Sequence, residues 1–162
     1  MPACLLTLRD EALALGLGKS AQTVSEHAVL FEEFLAQQDQ AGQLETLKTQ
    51  LNPCDKHILL HGHCHQKAFG VMPAVLHVIG LLPGAKPQLI ESSCCGMAGS
   101  FGYEASHHEI SMQMAELSLL PAVREQAQAL VVADGTSCRH QIQDGSQRHA
   151  IHVAQLLSEH LP

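Results

Sequence analysis

The sequence predicts an α/β protein: a parallel sheet with flanking helices in a three-layer-like arrangement. Two observations carry the prediction. Short apolar runs, HILLH at 57–61, PQLIES at 87–92 and ALVVAD at 129–134, alternate with longer stretches of helical period, and strands separated by helical crossovers build parallel sheets of right-handed connection. The 162 residues are 46% hydrophobic and 15% charged, which is the balance of a globular rather than a disordered chain. A chain of roughly 150 residues buries about 68–70% of its unfolded surface, so a core forms without disulfide staples. With 3% aromatics, no Trp and one Tyr, that core is built from Leu, Ala, Val, Ile and Met. No low-complexity tract or linker divides the chain, and 1–162 reads as a single domain.

Taken in order, residues 5–16 and 23–38 have helical character. In the second stretch Val24, Ala28, Phe31, Phe34 and Leu35 recur on one face, and Thr23 with Glu26 has the spacing of a capping box. Gly16 and Gly18 punctuate the join. Residues 39–56 are polar, Gln-rich and broken by Asn52-Pro53, a frayed helix followed by a loop. HILLH is the first strand. A helix follows from Pro73, well suited to a first helical position, to Ile79, with Gly80 near its end. After the second strand comes a glycine-rich turn and a helix over 104–119, for which Ser106 and Glu109 offer a capping box and Ile110, Met114 and Leu117 a common face. A short helix starts at Pro121, ALVVAD is the third strand, and HVAQLLSEH (152–160) is a closing helix.

Charge and composition exclude several functions. Nine Lys and Arg against 16 Asp and Glu give a net charge of −7, without the basic footprint or the aromatic platforms that nucleic-acid binding uses. The apolar runs are too short to span a bilayer, and MPACLLTLRDEA lacks the basic start and cleavage pattern of a signal peptide. The expectation is a cytoplasmic protein with no transmembrane segment. Six Cys and twelve His are the unusual counts, and in a reducing compartment cysteines serve as metal ligands or redox thiols more often than as a disulfide framework. Cys64 follows the first strand, Cys94-Cys95 the second and Cys138 the third. Ligands of open parallel sheets gather at the carboxyl ends of strands, so these four point at one spot. Clustered thiolates suit an iron–sulfur cluster or zinc. Adjacent cysteines depart from the C-x₂₋₄-C spacing of compact zinc sites, which places iron–sulfur first. Gly96, Gly99 and Gly102 in ESSCCGMAGSFGYE let backbone approach a cofactor and aim amides at an anion. The competing reading is four buried apolar cysteines.

The segments HGHCHQKA, ESSCCGMAGSFGYE and DGTSCRHQI resemble the cysteine-rich CCG domain of the heterodisulfide reductase B subunit and of the iron–sulfur subunits of glycolate oxidase and anaerobic glycerol-3-phosphate dehydrogenase. The resemblance extends to the carboxyl-terminal region of fused FAD-binding and iron–sulfur oxidoreductases similar to D-lactate and D-2-hydroxyglutarate dehydrogenases. In that family the module is a tandem repeat. The resemblance implies that residues 51–162 form the second CCG repeat, that 1–50 are a helical remnant of the first with Cys4 as its late cysteine, and that the chain is a fragment of a larger enzyme. It further implies a 4Fe–4S-type cluster on Cys64, Cys94, Cys95 and Cys138, of non-cubane form in some members. The late motif Ser137-Cys138-Arg139-His140 lacks the CxxC of the heterodisulfide reductase type.

Other residues carry weaker signals. Lys67 and Arg139 stand near ligand positions and either offset cluster charge or are solvated. His61, His63 and His65 flank Cys64, but alternate residues of an extended segment do not all point one way, so they are expected as supporting polar residues. Cys54 lies outside the strand-end set and Met97, Met112 and Met114 read as core filler. The function expected is an iron–sulfur module passing electrons from a flavin-dependent 2-hydroxy-acid dehydrogenase domain or subunit to an acceptor, inactive alone and peripheral to the inner membrane only through partners. FAD belongs to the partner, because no G-x-G-x-x-G occurs here. The alternative is a non-catalytic interaction or regulatory domain with zinc or no metal. Thiol catalysis by Cys94-Cys95 ranks last, a vicinal pair lacking C-x-x-C spacing. A missing first repeat would leave a face or sheet edge exposed, which favours a homo-oligomer.

Overall fold

A computed structural model describes residues 2–162. Four strands, β1 (His57–His61), β2 (Lys86–Leu89), β3 (Leu130–Ala133) and β4 (Ala150–Ile151), form one all-parallel sheet of order β2-β1-β3-β4. β1 sits between β2 and β3, with Leu59 opposite Gln88 on one side and Val131 on the other. Both its edges are thus paired, and a core covers each face, so Ile58, Leu59 and Leu60 are all fully buried, which is why the strand reads as an unbroken apolar run.

Two-residue alternation divides the sheet between two cores. Ile58, Leu60, Val132 and Ile151 face the first, packed against α1 (Pro2–Arg9), α3 (Phe31–Gln40), α6 (Met72–Gly80) and α10 (Val153–Ser158). Leu59, Val131, Ala133 and Ala150 face the second, which receives α8 (Leu119–Glu125), α9 (Thr136–Ser146) and the Cys95–Met97 turn. The chain leaves β1 for β2 on one side and returns to place β3 on the other, so the order reverses between β1 and β3. Their carboxyl ends diverge there into a crevice.

Several sequence expectations give way to tertiary contacts. The stretch 23–38 is two helices, α2 (Lys19–His27) and α3, broken at 28–30. Arg9 causes the break: its Nε donates to Ala28 O at 2.8 Å and its Nη1 to Glu33 Oε1 at 3.0 Å, while Glu33 Oε2 accepts the Leu30 N–H at 2.9 Å. Burial pushes the Glu33 carboxyl up, but the bonds from Arg9 and Leu30 and the Arg9 charge outweigh it and hold the group below its usual range. Thr23 lies inside α2, its hydroxyl donating back to Lys19 O, so the Thr23–Glu26 box does not form. Val24, Phe31 and Phe34 are exposed, and Leu35 is the buried member of that face. α4 (Glu45–Gln50) is the short helix of the polar stretch.

The helix expected over 104–119 is α7 (His108–Glu116), preceded by a 3-10 turn at Phe101–Tyr103, and His107 rather than Ser106 takes the N-cap position. Its buried residues are Ser111 and Ala115, while Ile110 and Leu117 are exposed. The inner face is small because a turn of backbone packs directly on it at Gly96. α5 (Cys64–Ala68), α9 and β4 have no predicted counterpart. α5 and β4 are too short to show a period, and α9 presents a mostly polar sequence around Cys138 and Ile142.

Leu59 fills the junction of the second core with the sheet. We expect Leu59→Ala to lower unfolding free energy by about 2–5 kcal/mol, and Val24→Ala, at an exposed position, to change it by less than about 0.5 kcal/mol. Urea denaturation of the two variants checks the contrast, and equal effects would contradict this core assignment.

Candidate metal centre

The crevice between β1 and β3 is where the cysteines meet. Cys64 opens α5, three residues beyond β1. His63 sets that start: its Nδ1 accepts the His65 N–H at 3.2 Å, and its own N–H donates to Gln66 Oε1 at 3.1 Å. Gln66 Nε2 donates in turn to Asp134 Oδ2 at 2.8 Å, and Asp134 Oδ1 accepts the Val153 N–H at 3.1 Å. The buried Asp134 at the end of β3 thus fixes both α5 and α10.

Cys94 and Cys95 lie on the turn after β2. Lys67 Nζ holds this turn by donating to the carbonyls of Ser92 and Ser93. Gly96 has φ +92°, its N–H donates to Cys94 Sγ at 3.3 Å, and a Cβ there would lie 2.1 Å from Ser111 O. A backbone clash at that distance cannot relax by rotamer change, so glycine is required. Gly99, φ +71°, lines the pocket with open space where a Cβ would stand. Cys138 sits in the first turn of α9. Gly135, at its N-cap, would with a Cβ meet His63 Cδ2 at 2.4 Å and Cys138 Sγ at 2.8 Å, so that glycine lets the β1 and β3 termini close on each other.

The result is a continuous row of sulfur: Cys64 beside Cys94, Cys94 beside Cys95, Cys95 beside Cys138, and Cys138 beside His61. Ligand atoms of His61, Cys95 and Cys138 lie within 4.8 Å of one another, all three residues buried. His61 Nδ1 bonds the Ser92 hydroxyl at 3.0 Å, while its Nε2 is buried without a hydrogen-bond partner among the described residues. Above this group opens a pocket of about 670 Å³, whose walls include His63, Cys64, His65, Cys94 and Tyr103. Tyr103 Oη is 2.6 Å from His140 Nδ1 at the same mouth. The thiols and His61 could hold a metal.

Protons divide unevenly along the row. The Cys64 thiol beside Cys94 drives the Cys94 pKa far below its ordinary value, helped by Cys95 and by the Gly96 and Ala98 amides against the cost of burial. Cys64 is correspondingly raised by Cys94 and by burial. Cys95 beside Cys138 brings Cys138 down to about 5, with His61 and His63 assisting, while Cys95 itself is pushed up by Cys138, Cys94 and burial. The directions thus alternate along the row, up at Cys64 and Cys95 and down at Cys94 and Cys138. Burial lowers Lys67, opposed by the sulfur charges of Cys138, Cys64 and Cys94, and burial is the leading cause holding His63 below its ordinary value.

The remaining residues singled out in the sequence fall differently. Arg139, partly exposed, donates to Ala133 O at 2.8 Å, Asp134 O at 2.9 Å and Thr136 Oγ1 at 3.3 Å, so it caps the carboxyl end of β3 one residue from Cys138. Lys67 both stands near the sulfurs and secures their loop. His61, His63 and His65 all border the centre, contrary to the alternation argument, because the strand ends at His61 and the chain turns into α5, where the His63 and His65 rings meet edge to face at 5.2 Å. Cys54 is buried in the first core and Cys4 is exposed on α1. Asp134, Gln66 and Gly135 went unrecognised; no local pattern marks a carboxylate whose partners lie 68 and 19 residues away.

No family model and no solved structure matches the chain. It is similar to one subunit of the anaerobic glycerol-3-phosphate dehydrogenase of Escherichia coli (strain K12), with 27% identity over 158 residues covering 98% of this chain and 38% of that protein. It is also similar to D-2-hydroxyglutarate dehydrogenases, with 32% identity over 160 residues for that of Escherichia coli (strain K12) and 29% over 159 for that of Pantoea ananatis (strain AJ13355). In both cases the match covers 98% of this chain and 15% of the relative. The chain spans well under half the length of these relatives. Among the described residues, no helix is long and apolar enough to cross a membrane.

A depressed thiol stays nucleophilic as pH falls. In metal-free protein we expect alkylation of Cys94 by iodoacetamide to change little between about pH 8 and about pH 6, whereas free cysteine, with a pKa of about 8.5, slows roughly tenfold per unit. Peptide mass spectrometry reads the site; a Cys94 rate that falls in parallel with free cysteine would contradict the thiolate assignment.

Proposed function

We propose that the chain is an electron-carrying module of a flavin-linked dehydrogenase, holding an iron–sulfur cluster on Cys64, Cys94, Cys95 and Cys138. The observation that carries this reading is the convergence of four thiols from three strand ends into one row, three of them lining the pocket and Cys138 beside Cys95 beneath it. The donor set fits such a group: soft sulfur ligands, Cys94 and Cys138 among them shifted toward the thiolate, with a backbone amide at Cys94. A bound cluster would supply one-electron transfer.

The protein's own part is positional and electrostatic. Gly96 and Gly135 permit the close approach, Lys67 fixes the Cys94-Cys95 turn, and the Gly96 N–H partly neutralises sulfur charge. Cys64, Cys94 and Cys95 line the pocket while Cys138 lies buried in the second core beneath it. Gly99 and Tyr103 border the side from which a partner or electron donor would approach. The chain's similarity to parts of two kinds of dehydrogenase supports a redox role. Both named substrates carry a secondary hydroxyl, consistent with a 2-hydroxy acid or related alcohol oxidised on a flavin-bearing partner domain or subunit. On this reading 51–162 is the second repeat of a CCG module, 1–50 belongs with the first, and the protein works in the cytoplasm.

A second reading has its own support. His61, Cys95 and Cys138 alone form a compact mixed nitrogen and sulfur group, a set that suits zinc in a non-catalytic domain.

Anaerobic reconstitution with iron and sulfide separates the two. The first reading expects broad visible absorption and about four irons per chain, lost in Cys95→Ser and retained in Cys54→Ala. A colourless protein that takes up zinc alone, with uptake abolished by His61→Ala, would establish the second; equal loss of the cluster in both cysteine variants would refute the ligand assignment.

A further inference from the structure

A second group of ligand-type side chains meets at Asp134, with Glu32 and Asp134 buried and His152 partly exposed. Glu32 from the first turn of α3, Asp134 from the end of β3 and His152 at the N-cap of α10 offer ligand atoms within 4.8 Å of one another. Glu32 is only 2% exposed and Asp134 1%. A carboxylate pair buried at that depth is costly unless a positive charge or a proton is shared between its members.

Three details bear on what the site takes. Glu32 Oε1 is buried and meets no hydrogen-bond donor among the described residues. His152 Nδ1 accepts the Ala154 N–H at 3.0 Å with its single lone pair and stands 3.5 Å from Asp134 Oδ1, so ligation through Nδ1 exchanges that helix-capping bond for the cation. Each Asp134 oxygen accepts one hydrogen bond, from Gln66 and from Val153, and a carboxylate oxygen has a second lone pair in reserve. Beside the group lies a cavity of about 190 Å³ bordered by Pro2, Leu30, Glu32 and His152, with room for water to complete a coordination shell.

We propose that Glu32, Asp134 and His152 form a binding site for a divalent cation, separate from the thiol centre. Two carboxylates and one imidazole make a hard-to-borderline set that takes Mn²⁺, Fe²⁺ or Zn²⁺ and disfavours the soft ions that thiolates select. Metal–ligand distances of about 2.0–2.2 Å would tie α3 and the start of α10 to the end of β3. The ion is structural: it joins the amino-terminal helices to the carboxylate that also anchors the Cys64 helix through Gln66. Burial and the Asp134 charge raise the Glu32 carboxyl to about 7, and that local demand for positive charge is what the cation meets.

Mn²⁺ is the probe, because it favours oxygen and nitrogen over sulfur and its free aquo ion has a six-line paramagnetic resonance signal that protein binding broadens. Titrating Mn²⁺ with the full chain should deplete that signal to one ion per chain and raise Tm. Glu32→Gln, an isosteric change, should weaken binding at least about tenfold and abolish the rise in Tm. His152→Ser, which keeps a helix-capping oxygen, should do the same and decides the matter if Glu32→Gln fails to fold. Cys95→Ser should bind Mn²⁺ as the unchanged chain does. An undepleted signal would overturn the proposal in favour of a proton shared by Glu32 and Asp134. Binding unchanged in Glu32→Gln and His152→Ser, or lost only in Cys95→Ser, would overturn it as well.

Discussion

The Asp134 carboxylate is the tie on which the architecture of the site rests. It stands at the carboxyl end of β3, almost wholly buried, and accepts from Gln66 Nε2 on one oxygen and from the Val153 N–H on the other. Through Gln66 it positions the His63 N–H and hence the start of α5, where Cys64 lies. Through Val153 it positions the start of α10, whose residues close the first core. Buried hydrogen bonds to a charged acceptor are worth more than neutral ones, and leaving one unmade costs the full desolvation of its partner. Gln66 and the Val153 amide therefore cannot move independently of β3, and the crevice between β1 and β3 keeps a fixed shape.

Glycine and lysine complete what the carboxylate begins. Gly135 brings the Cys138 end of the crevice within reach of His63, and Gly96 seats the Cys94-Cys95 turn on the backbone of α7. Lys67, projecting from the same helix that carries Cys64, holds the carbonyls of Ser92 and Ser93. One short helix thus connects all three strand ends: to β3 through Gln66, to the β2 turn through Lys67, and to β1 by chain continuity. The sulfur row follows from those three connections more than from any direct attraction between thiols, whose net hydrogen-bonding contribution is weak.

What was legible in the sequence is what depends on short-range pattern. HILLH could be read as a strand at its observed bounds because a strand buried on both faces shows an unbroken apolar run. The helices ending at Gly80 and beginning at Val153 were legible from proline, glycine and apolar spacing. Cysteines after three successive strands could be gathered in advance, since a parallel sheet puts its strand termini on one edge. Long-range contacts left no such trace. Arg9 breaks the 23–38 helix from 19 residues away. The inward face of α7 is Ser111 and Ala115, because backbone packs there, and an apolar count selects the opposite side. The three histidines around Cys64 converge only because β1 ends at His61, and Asp134 looks in sequence like any acidic residue at the end of a strand.

The proton pattern of the sulfur row constrains any chemistry at the centre. Hydrogen bonds between neighbours push Cys64 and Cys95 toward the thiol and Cys94 and Cys138 toward the thiolate, so the row carries less than the charge of four thiolates. That is how a buried site tolerates four sulfurs side by side: each thiol screens the thiolate next to it. A metal that takes all four must displace every proton the sulfurs retain, whereas one held by His61, Cys95 and Cys138 leaves Cys64 and Cys94 out of the exchange. The two arrangements share Cys95 and Cys138, so they exclude each other.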